Sequence, residues 1–411
     1  MNIYISGISG TAMGPLAIFA KEAGIKVFGS DRQEGAVTEE LKAKKIAFSI
    51  GNQDGRYLEN KILEEGIDWF VYTSALPKDH PEILVAQEYG IRISKRDALI
   101  AKLVDELKLK MVAVAGTHGK TTTTALIVWT LEKLGIPISY LVGTTLGFAK
   151  AGEYKKGSEF LIYEADEYDR NFLNFQPWLS VVTSVSYDHP DIYKTKAEYD
   201  AAFAQFIRQS RKTILDKKIN SKIKLAGEVR RYDATLALEA VKNVLKEARV
   251  EKENSEIIEI INQFPGVGRR FEKIGDGVYS DYAHHPEEIE ATVEVAKEQA
   301  EILEKAGVVV VYEPHQNIRQ HEVFKGYKKA FLGVDKLFWV PTFLTREDPK
   351  LKILKPEDFI ESLKNKEIAE SAEFNSKLEK KLKEYLEQNY LVVLMSAGPG
   401  DNWLRKLFGE A

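Results

Sequence analysis

Short apolar runs alternate with amphipathic stretches along this 411-residue chain. In the first hundred residues, apolar runs typical of strands lie at 3–6, 26–29 and 69–73. Apolar positions at helical spacing follow each of them, at 13–23, 38–44 and 81–89. Such alternation is typical of a parallel sheet with helices on both faces, so the pattern predicts an α/β fold.

The same alternation continues through two further α/β units. After a charged helix at 96–109, the pattern predicts strands at 111–115, 140–142, 160–163 and 179–185, and helices at 120–134, 198–209 and 234–248. The last unit has predicted strands at 308–312, 336–340 and 391–395, and predicted helices at 286–305, at 322–331 and ending near 390. A Gly/Pro segment with two adjacent arginines, 264–272, is typical of a linker between units.

The segment from Met111 to Thr124 has the layout of a phosphate-binding loop. A buried strand is followed by Gly116 and Gly119, which let the backbone curl, and Lys120 opens a helix. Free N–H groups and the positive end of the helix dipole converge at such a helix start and attract phosphate. The general pattern G-x-x-x-x-G-K-[ST] is broken at Val114, so an ordinary strand-to-helix turn with a surface lysine stays an alternative.

Polar residues follow the next two predicted strands of the central unit. The segment Glu164–Asp169 contains four acids, and Asp188 and His189 follow strand 179–185. Open α/β sheets place their sites at such strand ends, and carboxylates beside a phosphate loop suit Mg²⁺, which prefers oxygen ligands. An acidic surface loop is the alternative.

A weaker nucleotide signal lies at the start of the chain. The turn Gly7–Met13 keeps two glycines of the pattern G-x-G-x-x-G, and Asp31 ends the second strand, where an acid often meets a ribose hydroxyl. Small hydroxyl residues follow the third strand at Thr73–Ala75. A tight turn and simple capping residues would explain the same pattern.

Composition narrows the class of protein. The length favours two to four domains, and the formal net charge of −4 does not favour nucleic acid or an anionic membrane as a partner. The absence of cysteine excludes disulfides, thiolate metal sites and cysteine nucleophiles. Because Met1 leads directly into a strand-like segment and no long apolar run follows, we expect a cytoplasmic enzyme.

Histidines cluster in the last unit, at positions 284, 285, 315 and 321. A histidine cluster can indicate zinc, but the pair at 284 and 285 is adjacent and lacks the one-turn helical spacing of a typical zinc motif. We therefore do not predict zinc.

The order of these motifs resembles that of the Mur ligase family, ATP-dependent enzymes that form amide bonds in peptidoglycan precursors. The motifs that carry the resemblance are GTHGKTTT (116–123), EADEYD (164–169), DHPDIY (188–193), GVGRRFE (266–272), DYAHHP (281–286) and EPHQNIR (313–319). The resemblance covers essentially the whole chain. It implies a Rossmann-like UDP-sugar domain (1–107), a shortened P-loop ATPase-like central domain (108–270) and a Rossmann-like domain that binds the amino acid (271–411).

The resemblance also implies a reaction and its residues. ATP would activate the muramic-acid carboxylate of UDP-N-acetylmuramate as an acyl phosphate, and the amine of a small amino acid, L-alanine above others, would displace phosphate. The catalytic residues would be Lys120, His189 and Arg319, and the Mg²⁺ ligands Thr121, Glu164 and His189. ATP would be bound by Gly116, Thr117, His118, Gly119, Lys120, Thr121, Thr122, Arg270 and Asp281. The two other substrates would be bound by Gly7, Ser9, Gly10, Thr11, Asp31, Thr73, Ser74, Tyr282, His284, His315 and Arg319.

Several alternatives stay open at this point. EADEYD and the turn Thr11–Met13 are closer to the related ligase that attaches a tripeptide to UDP-N-acetylmuramate during cell-wall recycling. The family's adenine motif, G-x-H-N-x-x-N, has lost its histidine and both asparagines at Gly227–Asp233. A non-catalytic nucleotide-binding scaffold and an NAD(P)-dependent oxidoreductase are alternatives of another class. We expect a monomer or a weak homodimer.

Overall fold

The computed structural model describes residues 1–35, 37–73, 76–144, 146–189, 192–345 and 347–409. Contacts within the chain divide it into two compact units. Unit 1 comprises residues 1–223 and 232–264, and unit 2 comprises residues 224–231 and 265–411. Among the described residues, unit 1 contains two sheets and unit 2 contains one, and each unit is presented by itself.

The first sheet of unit 1 is parallel, with strand order β3-β2-β1-β4-β5. Its elements are β1 (Asn2–Ser6), α1 (Met13–Glu22), β2 (Lys26–Asp31), α2 (Thr38–Ala43), β3 (Ala47–Ile50), α3 (Arg56–Glu65), β4 (Trp69–Tyr72), α4 (Pro81–Glu88), β5 (Arg92–Lys95) and α5 (Arg96–Glu106). The apolar pattern did not predict β3, α3 and β5. Both strands are outer strands whose residues are mostly half-exposed, so they lack the continuous apolar run of a central strand.

The second sheet has strand order β11-β10-β6-β9-β7-β8, with only the short β8 pairing antiparallel to its neighbour among the described residues. Its elements are β6 (Lys110–Ala115), α6 (Lys120–Lys133), β7 (Ile138–Leu141), β8 (Gly152–Glu153), β9 (Phe160–Glu164), β10 (Leu179–Val182), α7 (Lys196–Gln209), β11 (Thr213–Ile214), α8 (Glu228–Ala248) and α9 (Asn254–Asn262). The helix predicted at 234–248 begins earlier, at Glu228. The apolar pattern did not indicate its first turn, because that turn is charged and carries no apolar repeat.

The sheet of unit 2 has strand order β12-β13-β17-β14-β15-β16, and β12 pairs antiparallel with β13. Its elements are β12 (Glu272–Gly275), β13 (Val278–Asp281), α10 (Pro286–Ile302), β14 (Val308–Glu313), α11 (Asn317–Val323), α12 (Tyr327–Ala330), β15 (Lys336–Trp339), α13 (Pro356–Ile360), β16 (Ala369–Ser371), α14 (Ser376–Glu387), β17 (Leu391–Ser396) and α15 (Gly400–Phe408). These strands and helices confirm the predicted three-part α/β fold.

The helix predicted at 322–331 was wrong in its start and its continuity. It begins at Asn317, and a 3₁₀ turn at Phe324–Gly326 separates α11 from α12. The early start has a distant cause: the Glu347 carboxylate accepts hydrogen bonds from the N–H groups of Asn317 (3.0 Å) and Ile318 (3.3 Å). A carboxylate at that position satisfies the free N–H groups of the first turn and complements the helix dipole.

Apolar residues from both sheets of unit 1 form one continuous core. Side chains of β1 and α1, such as Ile3 and Phe19, belong to the same buried cluster as those of β6 and α7, such as Met111 and Phe203. The two sheets are therefore held together by packing as well as by the chain. None of the helices in the described residues is long and apolar enough to cross a bilayer.

Candidate active site

The predicted phosphate-binding loop lies between β6 and α6. Gly116 has φ of 147° and Gly119 has φ of 82°, a region that favours glycine. A side chain at Gly116 would overlap Thr183 at the end of β10, and one at Gly119 would overlap the carboxylate of Asp233 on α8. Both glycines are thus required by backbone conformation and by close packing.

Lys120, the first residue of α6, is held inside the loop. Its Nζ donates to the carbonyl oxygen of Gly116 (2.5 Å) and lies 3.0 Å and 2.9 Å from the two carboxylate oxygens of Glu167. Glu167 is 1% exposed. The loop thus brings a lysine ammonium to the start of a helix, where both the charge and the dipole attract phosphate.

Thr121 and Glu164 lie together beside this loop. The Thr121 hydroxyl donates to Oε1 of Glu164 (2.7 Å), while the Gly143 N–H donates to Oε2 (2.8 Å). These are hard oxygen donors, which fit Mg²⁺. Among the described residues, no cluster of three or more His, Cys, Asp or Glu side chains could hold a metal by itself. Sites with one or two protein ligands suit Mg²⁺, since it usually keeps waters and takes further oxygens from substrate phosphates.

His189 contacts the same acidic segment, but through Glu167 and not through Glu164. Its Nε2 lies 3.6 Å from Oε1 of Glu167 and 3.7 Å from Oδ2 of Asp188. The nearby carboxylate of Glu167 raises the pKa of His189, against the effect of burial. Burial by itself raises the pKa of Glu167, yet His189 and Lys120 together bring it below its ordinary value.

In the sequence, Glu167 is one of four acids after the strand 160–163, and nothing there assigns it a role. The sequence offered one signal, which was its place in the acidic segment after β9. What singles it out is burial between the Lys120 ammonium and the His189 ring, and periodicity does not reveal this.

The predicted UDP-sugar turn lies at the carboxyl end of the first sheet. Gly7 has φ of 84°, and an added Cβ there would lie 2.8 Å from the Thr73 methyl group. The turn is closed by Asp31, whose Oδ2 accepts a hydrogen bond from the Ser9 N–H (2.8 Å). The Ser9 hydroxyl is buried and has no hydrogen-bond partner among the described residues, an arrangement that a bound polar ligand would satisfy.

The other residues predicted at this turn differ in their contacts and exposure. Gly10 donates its N–H to the Gly7 carbonyl oxygen (3.1 Å), and Thr11 is exposed. Ser74 lies outside the described residues. The Asp31 carboxylate acts in the structure as a cap of the glycine turn, and its predicted ribose contact stays a prediction.

Unit 2 brings together the residues predicted to bind the amino acid. Nη1 of Arg319 lies 3.1 Å from Nδ1 of His315, and the rings of His315 and His284 are 6.2 Å apart. The rings of Tyr282 and His284 are 5.4 Å apart, edge to face. The Arg270 guanidinium lies 5.1 Å from the centre of the Tyr282 ring. A planar guanidinium among aromatic rings suits recognition of a carboxylate.

Burial shifts the pKa values of two groups at this cluster, Asp281 and His284. Asp281 accepts hydrogen bonds from the N–H groups of Phe271 (2.7 Å) and Ala283 (2.8 Å) and from the Thr292 hydroxyl (3.1 Å). Burial raises the pKa of Asp281. Burial also lowers the pKa of His284 to about 4, although Glu288 lies 3.3 Å away and opposes this effect.

Three family models match successive parts of the chain. They are described as Mur ligase family, catalytic domain (residues 2–107), Mur ligase middle domain (114–263) and Mur ligase, glutamate ligase domain (269–398).

Similar proteins cover the full chain. A UDP-N-acetylmuramate–L-alanine ligase of Carboxydothermus hydrogenoformans is 30% identical, covering 100% of this chain and 97% of its own. A solved UDP-N-acetylmuramate–alanine ligase of Thermotoga maritima has a TM-score of 0.75 at 22% identity, covering 99% and 98%. A murein peptide ligase of Psychrobacter arcticus has a TM-score of 0.58 at 20% identity, with the same coverage. The two structures show a shared fold.

Proposed function

Because the chain belongs to the Mur ligase family, we propose that it joins L-alanine to the muramic-acid carboxylate of UDP-N-acetylmuramate at the expense of ATP. The observation that carries this proposal is the arrangement of Lys120, Thr121 and Glu164 at the loop between β6 and α6. This arrangement would provide phosphate binding and metal ligands within one unit. A relative named as a UDP-N-acetylmuramate–L-alanine ligase matches the whole chain.

The reaction has two steps. First, a carboxylate oxygen of the sugar attacks the γ-phosphorus of ATP, the bond to the bridging oxygen breaks, and ADP leaves with its electron pair. Then the neutral amine of alanine attacks the acyl carbon, the bond to the phosphate oxygen breaks, and inorganic phosphate leaves as the amine loses a proton. Phosphoryl transfer of this kind depends on positioning and charge stabilisation more than on covalent participation of the protein.

The roles of the phosphate-binding residues follow from their positions. Lys120 would donate to the transferring phosphoryl group and stabilise its charge, while the N–H groups at the start of α6 would hold the adjacent phosphates. Thr121 and Glu164 would hold one Mg²⁺ and His189 a second, and Mg²⁺ supplies Lewis-acid stabilisation of phosphate charge when bound. Arg270 and Asp281 would meet the nucleotide, the latter at its ribose.

The roles of the acceptor-binding residues rest on unit 2. Arg319 would bind the carboxylate of alanine through its planar fork, with His315 and Tyr282 beside it. Burial keeps His284 uncharged near neutral pH, so it adds no positive charge where a neutral amine must react. The first sheet would bind the UDP-sugar through the turn at Gly7 and the Ser9 hydroxyl.

A phosphate-release assay tests the proposal directly. The enzyme is incubated with ATP, Mg²⁺ and UDP-N-acetylmuramate, and separately with L-alanine, L-serine, glycine or a tripeptide. We expect release with L-alanine that requires the UDP-sugar, together with an amide product seen by mass spectrometry. Preferential release with the tripeptide would contradict alanine as the acceptor, and no release with any acceptor would contradict the ligase activity. Cytoplasmic location and a monomeric or weakly dimeric state stay predictions.

A further inference from the structure

A buried carboxylate without an assigned role lies at the centre of the phosphate-binding site. Glu167 is 1% exposed, yet its carboxylate contacts the Lys120 ammonium at 2.9 Å and 3.0 Å and approaches the His189 ring to 3.6 Å. Burying a charged group is costly unless it is paired. One carboxylate therefore pairs with two groups that the proposed mechanism places at the reacting phosphate.

The backbone of Glu167 is also fixed. Its carbonyl oxygen accepts a hydrogen bond from the Tyr193 hydroxyl (2.6 Å), and Tyr193 is fully buried. The Tyr193 ring packs edge to face on Tyr199 at 5.0 Å, and the Tyr199 hydroxyl lies 2.8 Å from the hydroxyl of Thr117 in the phosphate-binding loop. The acidic segment and the loop thus share one rigid aromatic support.

Lys120 depends on Glu167 for its direction. The ammonium N–H groups of Lys120 are directed at Glu167 and at the carbonyl oxygens of Gly116 (2.5 Å) and Thr117 (3.3 Å), so a phosphoryl oxygen would take the place of one of these carbonyl oxygens. The carbonyl oxygens belong to the loop itself. Glu167 is the charged acceptor, and charge-assisted hydrogen bonds are the stronger ones.

We propose that Glu167 is a positioning residue of the phosphoryl-transfer site, which orients both Lys120 and His189 through one buried carboxylate. This inference rests on the roles proposed above for those two residues. Groups that orient metal ligands and catalytic side chains matter through their partners, and losing one typically costs about 10–100-fold in metal affinity or activity.

The test compares Glu167→Gln with Asp169→Asn. Both substitutions replace an acid of the same segment by its amide, but Asp169 is partly exposed and pairs with Lys95. For Glu167→Gln we expect kcat to fall about 10–100-fold. We also expect a higher Mg²⁺ concentration for half-maximal rate, with an unchanged KM for the UDP-sugar. Asp169→Asn should leave all three within about twofold of the wild type.

A binding measurement separates this inference from the proposed function. The affinity for a fluorescent ATP analogue is measured with and without Mg²⁺, and the gain that Mg²⁺ provides should shrink in Glu167→Gln. Glu167→Asp, which keeps the charge on a shorter side chain, should fall between wild type and Glu167→Gln, and it replaces the amide variant if that variant does not fold. An unchanged Mg²⁺-linked gain and kcat in these variants would overturn the role of Glu167. Wild-type protein that binds Mg²⁺ and nucleotide but releases no phosphate would instead contradict the ligase activity.

Discussion

The stability of unit 2 is expected to depend on pH through one largely buried histidine, His284. Burial lowers the pKa of His284 from 6.5 to about 4, and its side chain is only 15% exposed. The groups around it are Glu288, which opposes this shift, and Arg319 and His285, which add to it. Since the folded-state pKa is below the unfolded one, the unfolded chain binds more protons between these values. The contribution of His284 is therefore complete above pH 6.5 and is lost as the pH falls towards 4.

The size of the effect follows from linkage. For a group with these two pKa values, lowering the pH from 7 to 5 reduces the free energy of unfolding by about 2 kcal/mol. The pKa of Glu288 is also lowered, although burial opposes this. The contribution of Glu288 to the free energy of unfolding is therefore also lost as the pH falls. A variant without a titratable group at position 284 removes the contribution of the histidine together with its effect on Glu288.

Hydrogen–deuterium exchange can measure this in unit 2 alone, which matters because a multi-domain chain need not unfold in one step. Peptides from β14 and β17 are followed at pH 7 and pH 5, after correction for intrinsic exchange rates, in the wild type and in His284→Gln. We expect the wild type to lose about 2 kcal/mol more protection than the variant. Peptides from β6 in unit 1 serve as a control and should show no such difference. Equal losses in wild type and variant would refute the argument that His284 is buried in its neutral form.

Three further predictions concern the phosphate-binding loop, the residues predicted to bind the amino acid and the first sheet. Lys120→Ala should lower turnover by at least about 100-fold, the effect of losing one preorganised electrostatic group, in the phosphate-release assay. Arg319→Lys should raise the KM for alanine by about tenfold or more while the KM for ATP stays constant, because lysine lacks the planar fork. Glu82→Ala should destabilise the first sheet by at least about 1–3 kcal/mol in chemical denaturation, because buried donors would lose their acceptor. Those donors are Tyr4 Oη (2.7 Å), Ser6 Oγ (2.5 Å), Ser30 Oγ (2.6 Å) and Gln53 Nε2 (3.2 Å).

Each of these predictions has a contradicting result. Turnover of Lys120→Ala within tenfold of the wild type would show that Lys120 does not stabilise the phosphoryl-transfer step. An unchanged KM for alanine in Arg319→Lys would show that Arg319 does not bind the carboxylate of alanine. For Glu82, the control is Glu88→Ala at the exposed end of the same helix, and equal denaturation midpoints of the two variants would show that the buried network contributes little.

The sequence predicted the central strands and the helices that follow them, because each is encoded in a continuous segment. The run from Met111 to Ala115 is apolar throughout, and all five residues are buried in β6. Edge strands were harder, since the half-exposed residues of β3 and β5 do not form an apolar run. The break between α11 and α12 also went unpredicted, because apolar spacing does not register a 3₁₀ turn.

The candidate site likewise contains residues that the sequence predicted and contacts that it did not predict. The loop residues Gly116, Gly119 and Lys120 were predictable, because strand, turn and helix follow one another within a few positions. The surroundings of Asp281 were not, since two of its three donors, Phe271 and Thr292, lie ten and eleven residues away and reach it only in the folded sheet. Those bonds give Asp281 a structural role in addition to the predicted nucleotide contact.

By itself, the sequence determined the alternation of strands and helices, the phosphate-binding loop and the resemblance to the Mur ligases, because each depends on residues close together in the chain. Only the tertiary structure decided which acid serves which partner: Glu164 contacts Thr121, whereas Glu167 lies between Lys120 and His189. All four acids of the segment have the same chemistry in the sequence. They differ in burial and in their partners. The contacts of Glu164 and Glu167 with the phosphate-binding loop join residues 43 and 47 positions apart, so they depend on how β6, β9 and β10 pair in the sheet.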